Sequence, residues 1–245
     1  MHLIVIDEGI GNLRYRKGYK ISGKLKKELE KIYFIDLIST KIRVISKEEG
    51  ENIREFYSKL LNLEKPFVAI GGDHSVSFFL YQNFKGKPLV IFDAHPDLEF
   101  STKFPTNEDW LRLLIEERLV NPEKVYLVGI RNFAPHEMNF IKEKGINFLL
   151  CNEIESSDDI SSFIPRKDFY LSIDIDVLDP AFAPGTYFRE PFGLNPKLLI
   201  DALSRTKPLS MDITEINLDF DVNFITLRLA LYISAIGWRW IVEKE

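Results

Sequence analysis

The sequence predicts an α/β fold in which a parallel sheet lies buried between helices. Apolar runs of four to eight residues, rich in Val, Ile, Leu and Phe, alternate with longer stretches of helical periodicity, the pattern of repeated strand–helix–strand units. No Pro-, Gly- or Ser-rich linker, internal repeat or low-complexity tract divides the 245 residues, a length that α/β folds reach as one unit. One domain over 1–245 is expected.

In chain order, the strands expected are Leu3–Ile6, Ile32–Leu37, Phe67–Ile70, Pro88–Phe92, Lys124–Val128, Asn147–Leu150, Phe169–Ile173 and Leu209–Ile213. The helices expected are Gly23–Lys31, Lys47–Leu63, Ser75–Asn83, Asp109–Arg118, Pro135–Lys144, Ser157–Ile164, Pro196–Ser204 and Asn223–Val242. The polar stretch Phe100–Asp109 is the longest loop, and it follows a strand end. Ligands of open α/β sheets bind beyond the carboxyl ends of the strands, so motifs placed there call for a functional explanation.

A hydrophobic share of 45% is ample for a core, while no run approaches the ~18–20 consecutive apolar residues of a membrane span. Met1–Asp7 reads as a first strand rather than a signal peptide. The net charge of −5 speaks against a nucleic-acid partner, and the single cysteine, Cys151, has no partner for an internal disulfide. The expectation is a cytoplasmic globular protein with neither membrane nor nucleic acid as partner.

Three strand ends carry acids and histidines. The third expected strand ends in Gly71-Gly72-Asp73-His74-Ser75, where two glycines permit a sharp turn and Ser75 is placed to cap the next helix. The fourth runs into Asp93-Ala94-His95-Pro96-Asp97. The seventh runs into Asp174-Ile175-Asp176-Val177-Leu178-Asp179-Pro180. In extended chain, residues i, i+2 and i+4 share a face, which brings Asp93, His95 and Asp97 together, and Asp174 with Asp176. Buried carboxylates repel one another and need a positive counterpart. Two divalent cations balance the four aspartates. Oxygen-rich ligands with some imidazole suit Mn²⁺ better than a thiophilic metal, and two such ions sharing a water make hydroxide available near neutral pH. A lone DxD is equally at home in a helix cap or a solvated turn, and a lone His beside Gly-Gly is no stronger; DAHPD after an apolar strand is the stronger signal, and the joint occurrence of all three points to a site.

These segments resemble the arginase/agmatinase (ureohydrolase) family: GGDHS at 71–75, DAHxD at 93–97 and SxDxDxxDP at 172–180, continuing into Ala181–Thr186. Val128-Gly129-Ile130-Arg131 with Pro135 and Glu137, and Met211–Asn217, are also similar to family segments. The resemblance runs from about residue 65 to the C-terminus. It implies a three-layer α/β/α fold with a mainly parallel eight-stranded sheet, and trimers or hexamers. It implies one Mn²⁺ on His74, Asp93, Asp97 and Asp174, and a second on Asp93, His95, Asp174 and Asp176. A metal-bridging hydroxide would attack the carbon of a guanidino or other linear amidine substrate. Glu215 matches the acid that pairs with the guanidinium, a bidentate contact of planar fork and carboxylate. Asp73 and Asp179 match supporting positions.

The chain departs from the family pattern in four places. Its opening segment is short, and Gly9-Ile10-Gly11-Asn12 and Arg16-Lys17-Gly18 match only loosely. The loop after DAHxD lacks the histidine that passes a proton to the leaving group. Glu108 or Asp109 stands nearest its place, either as a carboxyl acid or simply as the start of a helix. Ala134 replaces the aspartate with which arginases recognise an α-amino group, which counts against arginine as substrate. Finally, Tyr187, Phe188 and Phe192 crowd the expected mouth beside Arg189, which would either meet an acidic substrate group or pair with Glu190 or a neighbouring subunit. Two alternatives to an active two-metal hydrolase stand: an inactive metal-binding assembly or regulatory subunit, and a single-zinc deacetylase on the same general fold.

Overall fold

Side chains alternate along the strands between two buried faces, as a sheet covered on both sides requires. The computed structural model describes residues 1–12, 14, 17–31 and 40–242. Its strands are β1 (His2–Ile6), β2 (Lys41–Ile45), β3 (Val68–Gly71), β4 (Leu89–Phe92), β5 (Val125–Ile130), β6 (Asn147–Leu150), β7 (Tyr170–Asp174) and β8 (Ser210–Thr214). They form one sheet in the order β2-β1-β3-β8-β7-β4-β5-β6, parallel throughout. The helices are α1 (Ser22–Leu29), α2 (Ile53–Ser58), α3 (Val76–Tyr81), α4 (Trp110–Glu116), α5 (Pro135–Lys144), α6 (Ser157–Phe163), α7 (Pro196–Leu203) and α8 (Ile225–Val242).

Leu3, Val5, Val90, Phe92, Leu171, Ile173, Met211 and Ile213 share a core with α1, α6, α7 and α8. Their strand neighbours Ile4, Ile6, Leu89, Ile91 and Tyr170 share the other with α2, α3, α4 and α5. The result is the expected three-layer α/β/α arrangement. Local chemistry sets the helix ends. Pro135 opens α5 and Gly145, at φ 69°, closes it, while Asn195 caps α7 ahead of Pro196. By length and a mean hydropathy of 1.3, the helical stretch Val222–Val242 would cross a bilayer, but α8 lays one face into the sheet core.

One expectation changes, and one falls outside the described residues. The strand expected at Ile32–Leu37 falls outside the described residues, and the second strand is Lys41–Ile45, whose alternation of basic and β-branched residues suits a sheet edge. The helix expected over Lys47–Leu63 is confined to Ile53–Ser58. Asn52 accepts the Arg54 and Glu55 amides while Glu55 reaches back to the Asn52 amide, and Asn62 at φ 58° turns the chain beyond the helix.

Leu171 lies wholly buried at the centre of β7. Leu171→Ala is expected to cost about 2–5 kcal/mol and to lower the melting temperature by roughly 5–15 °C in calorimetry. The same scan on Ile42→Ala, at the exposed edge, should move by less than about 2 °C; an equal shift for both would contradict the placement of the core.

Candidate metal centre

Strands β3, β8, β7 and β4 are neighbours in the middle of the sheet, so the segments leaving their carboxyl ends meet at one place. After β3 the chain turns at Gly71 and Gly72, at φ 94° and 79°, and a Cβ on Gly71 would lie 2.5 Å from the Ile6 carbonyl. This turn buries Asp73 and His74. Ser75 does not cap α3 as expected. Its hydroxyl meets that of Tyr57 at 2.8 Å, and Asp73 accepts the Ser75 amide instead.

The aspartate segments converge through tight turns rather than extended alternation. The chain bends at Ala94 and His95, and Asp97 takes φ 52°. Beyond β7, Ile175–Val177 form a 3₁₀ turn in which the Asp176 amide donates to Asp174 Oδ1 at 2.8 Å. His74 Nδ1 then lies 2.8 Å from Asp97 Oδ2, 3.0 Å from Asp93 Oδ2 and 3.5 Å from Asp174 Oδ2. His95 Nδ1 lies 3.1 Å from Asp176 Oδ2 and 3.6 Å from Asp93 Oδ1. Two groups of possible ligands share Asp93: His74–Asp93–Asp174 and Asp93–His95–Asp176, with donor atoms within 4.8 Å of one another in each.

Electrostatics show how costly this packing is. Burial pushes the Asp174 carboxyl well above its ordinary range, with Asp176 and Asp93 adding to the effect, and pushes Asp97 up to about 7. Burial also raises Asp93, but the imidazoles of His74 and His95 outweigh it and hold that carboxyl at about 2. Burial alone would lower both histidines; the surrounding carboxylates instead raise them well above the ordinary imidazole value. His74 Nδ1 and Asp93 Oδ2 are buried and close, yet neither makes a hydrogen bond. Lone-pair atoms that converge without satisfying one another fit a divalent cation between them.

Groups behind these candidate ligands orient them. His74 Nε2 lies 3.0 Å from Ser172 Oγ, which donates to Asp212 at 2.8 Å; Ser77 and Tyr170 also donate to Asp212. With Nε2 so engaged, Nδ1 faces the aspartates as the available ligand atom. Trp110 Nε1 donates to Asp97 Oδ2 at 2.6 Å, its ring 4.7 Å from that of His74. Arg131 donates to the backbone carbonyls of Asp176 and Glu190, tying the 3₁₀ turn to the 190 loop. Sequence reasoning missed Ser172, Trp110 and Asp212 in these roles. Asp212 leaves a signal as a carboxylate between the apolar Met211 and Ile213 of a strand, and Ser172 as the first residue of the SxDxDxxDP segment; Trp110 leaves none.

Above the aspartates lies a cleft of about 220 Å³, lined among others by Asp97, Asp174, Asp176, Glu215, Glu108, Arg14, Phe133, Ala134, Tyr187 and Phe188. A wider hollow of about 1050 Å³, lined by Lys65, Lys85, Lys87, Lys167 and Lys207, opens at the amino ends of the strands and contains none of the motif residues. Glu215 sits at φ 60°. Its Oε1 accepts the His74 amide at 2.9 Å and its Oε2 accepts the Tyr19 hydroxyl at 2.5 Å. Burial and then the charge of Asp73 push its carboxyl up to about 8.

The remaining candidates separate. Glu108 lines the cleft and pairs with Arg14 at 2.8 Å. Asp109 does not reach it: both its oxygens accept hydrogen bonds from Thr102 and Thr106, closing the 102–109 loop. Arg189 is exposed outside the cleft, donating to the Thr186 carbonyl with its guanidinium 4.7 Å from the Phe220 ring. Arg189 is thus neither in the cleft nor paired with Glu190, and among the described residues Arg14 is the cation that lines the cleft. Tyr187 and Phe188 narrow the mouth, Phe188 lying 5.2 Å from the His95 ring, whereas Phe192 is 87% exposed elsewhere.

A model of the arginase family matches residues 7–236. The agmatinase of Bacillus cereus is 31% identical over 186 residues, 73% of this chain and 63% of that protein. The proclavaminate amidinohydrolase of Streptomyces clavuligerus is 30% identical over 73% of this chain and 62% of its own length. The chain thus spans somewhat under two thirds of these relatives. The solved structure of that amidinohydrolase superposes with a TM-score of 0.83 at 26% identity, over 98% of this chain and 90% of the other. Formimidoylglutamase from Bacillus subtilis superposes with a TM-score of 0.84 at 18% identity, covering 98% and 86% of the two chains, a likeness of fold. With the match running through all four central strand ends, the chain belongs to the arginase family.

Proposed function

We propose that this protein is a metal-dependent hydrolase that cleaves a C–N bond of a linear guanidino or other amidine compound. The observation that carries the reading is the double histidine–aspartate cluster, joined at Asp93, beneath a cleft that presents Glu215. His74, Asp93, Asp97 and Asp174 would hold one divalent cation, and Asp93, His95, Asp174 and Asp176 a second, with Mn²⁺ the best match to this donor set. Such a pair supplies Lewis acidity and makes water nucleophilic near neutral pH. Keeping both clusters favours this over a single-zinc deacetylase.

The chain's own groups do the rest. Glu215 offers its carboxylate to the planar guanidinium, whose charge favours the ionised acid. Tyr187 and Phe188 give the cleft a flat apolar wall. Of the two candidate acids, Glu108 is the one that lines the cleft, where it pairs with Arg14. Ala134 lines the cleft without a polar group for an α-amino contact, which counts against arginine as substrate. The agmatinase and amidinohydrolase names of the relatives agree with this class.

The test is to load purified protein with Mn²⁺, count bound metal, and measure urea or amine release from agmatine, arginine, guanidinobutyrate, guanidinopropionate and formimidoylglutamate. Two ions per chain with turnover of one compound is the expected result; failure to retain any metal overturns the reading. On the compound that turns over, Glu215→Gln should lower kcat/KM roughly 100-fold or more while both ions stay bound. Arg189→Ala should leave KM within about twofold for acidic and basic substrates alike, as expected of a surface substitution.

The metal-free site makes a prediction of definite sign. Asp97 at about 7, Glu215 at about 8 and Asp174, pushed well above its ordinary range, are raised carboxyls, and His74 and His95 are raised as well. Each binds its proton more tightly folded than unfolded. Its stabilising contribution is complete below the unfolded value, about 4 for the acids and about 6.5 for the histidines, and is lost as pH rises through the folded one. Asp93, held at about 2, has the opposite sign, but its window closes by about pH 4. Metal-free protein should therefore melt lower at about pH 8.5 than at about pH 6, and added Mn²⁺ should remove most of that difference. Identical pH profiles with and without Mn²⁺ would contradict the assignment of these groups as its ligands.

A further inference from the structure

The glycine-containing segments ahead of α1 lie outside the metal motifs, yet they reach the site. Asp73 Oδ2 accepts the amides of Gly11 at 2.7 Å and Asn12 at 3.1 Å, fastening this segment to the β3 turn. Asn12 Nδ2 donates to the Tyr19 hydroxyl at 2.8 Å, and that hydroxyl donates to Glu215 Oε2 at 2.5 Å. On the far side, Asn217 Nδ2 donates to the Lys17 carbonyl at 2.7 Å, and the Leu218 amide to the Gly18 carbonyl at 2.8 Å. Contact dictates both glycines that frame the tyrosine: a Cβ on Gly9 would lie 2.1 Å from the Tyr19 ring, and one on Gly18, at φ 85°, 1.8 Å from Asn217 Oδ1.

We infer that Tyr19 is a positioning residue that sets the Glu215 carboxylate for a guanidinium group; this rests on the role proposed above for Glu215. Glu215 occupies a left-handed backbone conformation that a glutamate disfavours, so its side chain is aimed by partners rather than by the strand it follows. His74 supplies one through its amide, and Tyr19 supplies the other. The Tyr19 ring is 1% exposed, and its hydroxyl accepts from Asn12, which leaves its own proton directed at Glu215. Burial and the adjacent carboxylate keep the phenol protonated, making it a constant donor. A carboxylate oxygen held this way keeps its remaining lone pairs on the cleft side, where a planar fork can engage them.

The test uses manganese-loaded protein and millimolar guanidinium chloride, followed by titration calorimetry, which needs no turnover. Tyr19→Phe removes one oxygen atom and is expected to retain two ions while weakening guanidinium binding roughly 10-fold, with kcat/KM on the active substrate falling by a similar factor. On a Glu215→Gln background, Tyr19→Phe should cause no further loss of kcat/KM, because its effect passes through that carboxylate. Asn12→Ala keeps the phenol and removes the amide that orients it; it should weaken binding about threefold and serves if Tyr19→Phe fails to fold. Wild type that binds no guanidinium overturns the functional reading itself. Wild-type affinity in both variants, or an undiminished effect on the Glu215→Gln background, overturns the role of Tyr19 alone.

Discussion

Four aspartates and two histidines pack against one another at the carboxyl edge of the sheet, all but His95 buried, and the organisation of this end of the molecule follows from that concentration of charge. Carboxylates at such spacing cannot all be ionised without compensation. In the folded chain the imbalance shows as carboxyls raised far above their usual range beside one, Asp93, held low between both imidazoles. The sheet order makes the packing possible. Because β3, β8, β7 and β4 are adjacent, segments more than a hundred residues apart in sequence leave the sheet side by side, and short turns bring their side chains to one point.

Holding the clustered aspartates and histidines in place requires further groups behind them, and the protein builds these on the α2–α5 side of the sheet. Tyr170, Ser77 and Ser172 converge on Asp212, so a buried carboxyl deep in β8 is satisfied by three hydroxyls, and one of these meets the far nitrogen of His74. The Trp110 indole does the same for Asp97 from α4. Each orienting group sits on a strand or helix whose neighbours are fully packed, so the cluster inherits the rigidity of the core.

The parts of this arrangement that could be read from the sequence are those written in local spacing. Fourteen of the expected strands and helices correspond closely to observed ones because hydrophobic period and end signals, such as Pro135 and Gly145 around α5, agree there. His74, Asp93, His95, Asp97, Asp174 and Asp176 are likewise found by motif, although they converge through turns at Asp97 and Ile175–Val177 that the alternation argument did not contain. What could not be read depends on side-chain direction in loops and on distant partners. Asp109 and Glu108 are adjacent, yet one turns into its own loop and the other toward the cleft. Tyr19 and Glu215 meet across 196 positions of sequence, and no local pattern encodes such a contact.

The same distinction separates the two halves of the site. Its floor is carried by strand ends and braced from the core, so its geometry leaves little freedom. Its walls come from loops: Arg14 with Glu108, Phe133 with Ala134, and Tyr187 with Phe188. Substitutions in such loops alter the size and charge of the cleft without disturbing the ligands below. Glu215 belongs to neither half. It leaves a central strand, yet its backbone conformation and its contact with Tyr19 tie it to the N-terminal segment. The group that would face a guanidinium is thus aimed jointly by the His74 amide from the floor and the Tyr19 hydroxyl from the wall, which couples the seating of a substrate to the placement of Gly11, Asn12 and Tyr19.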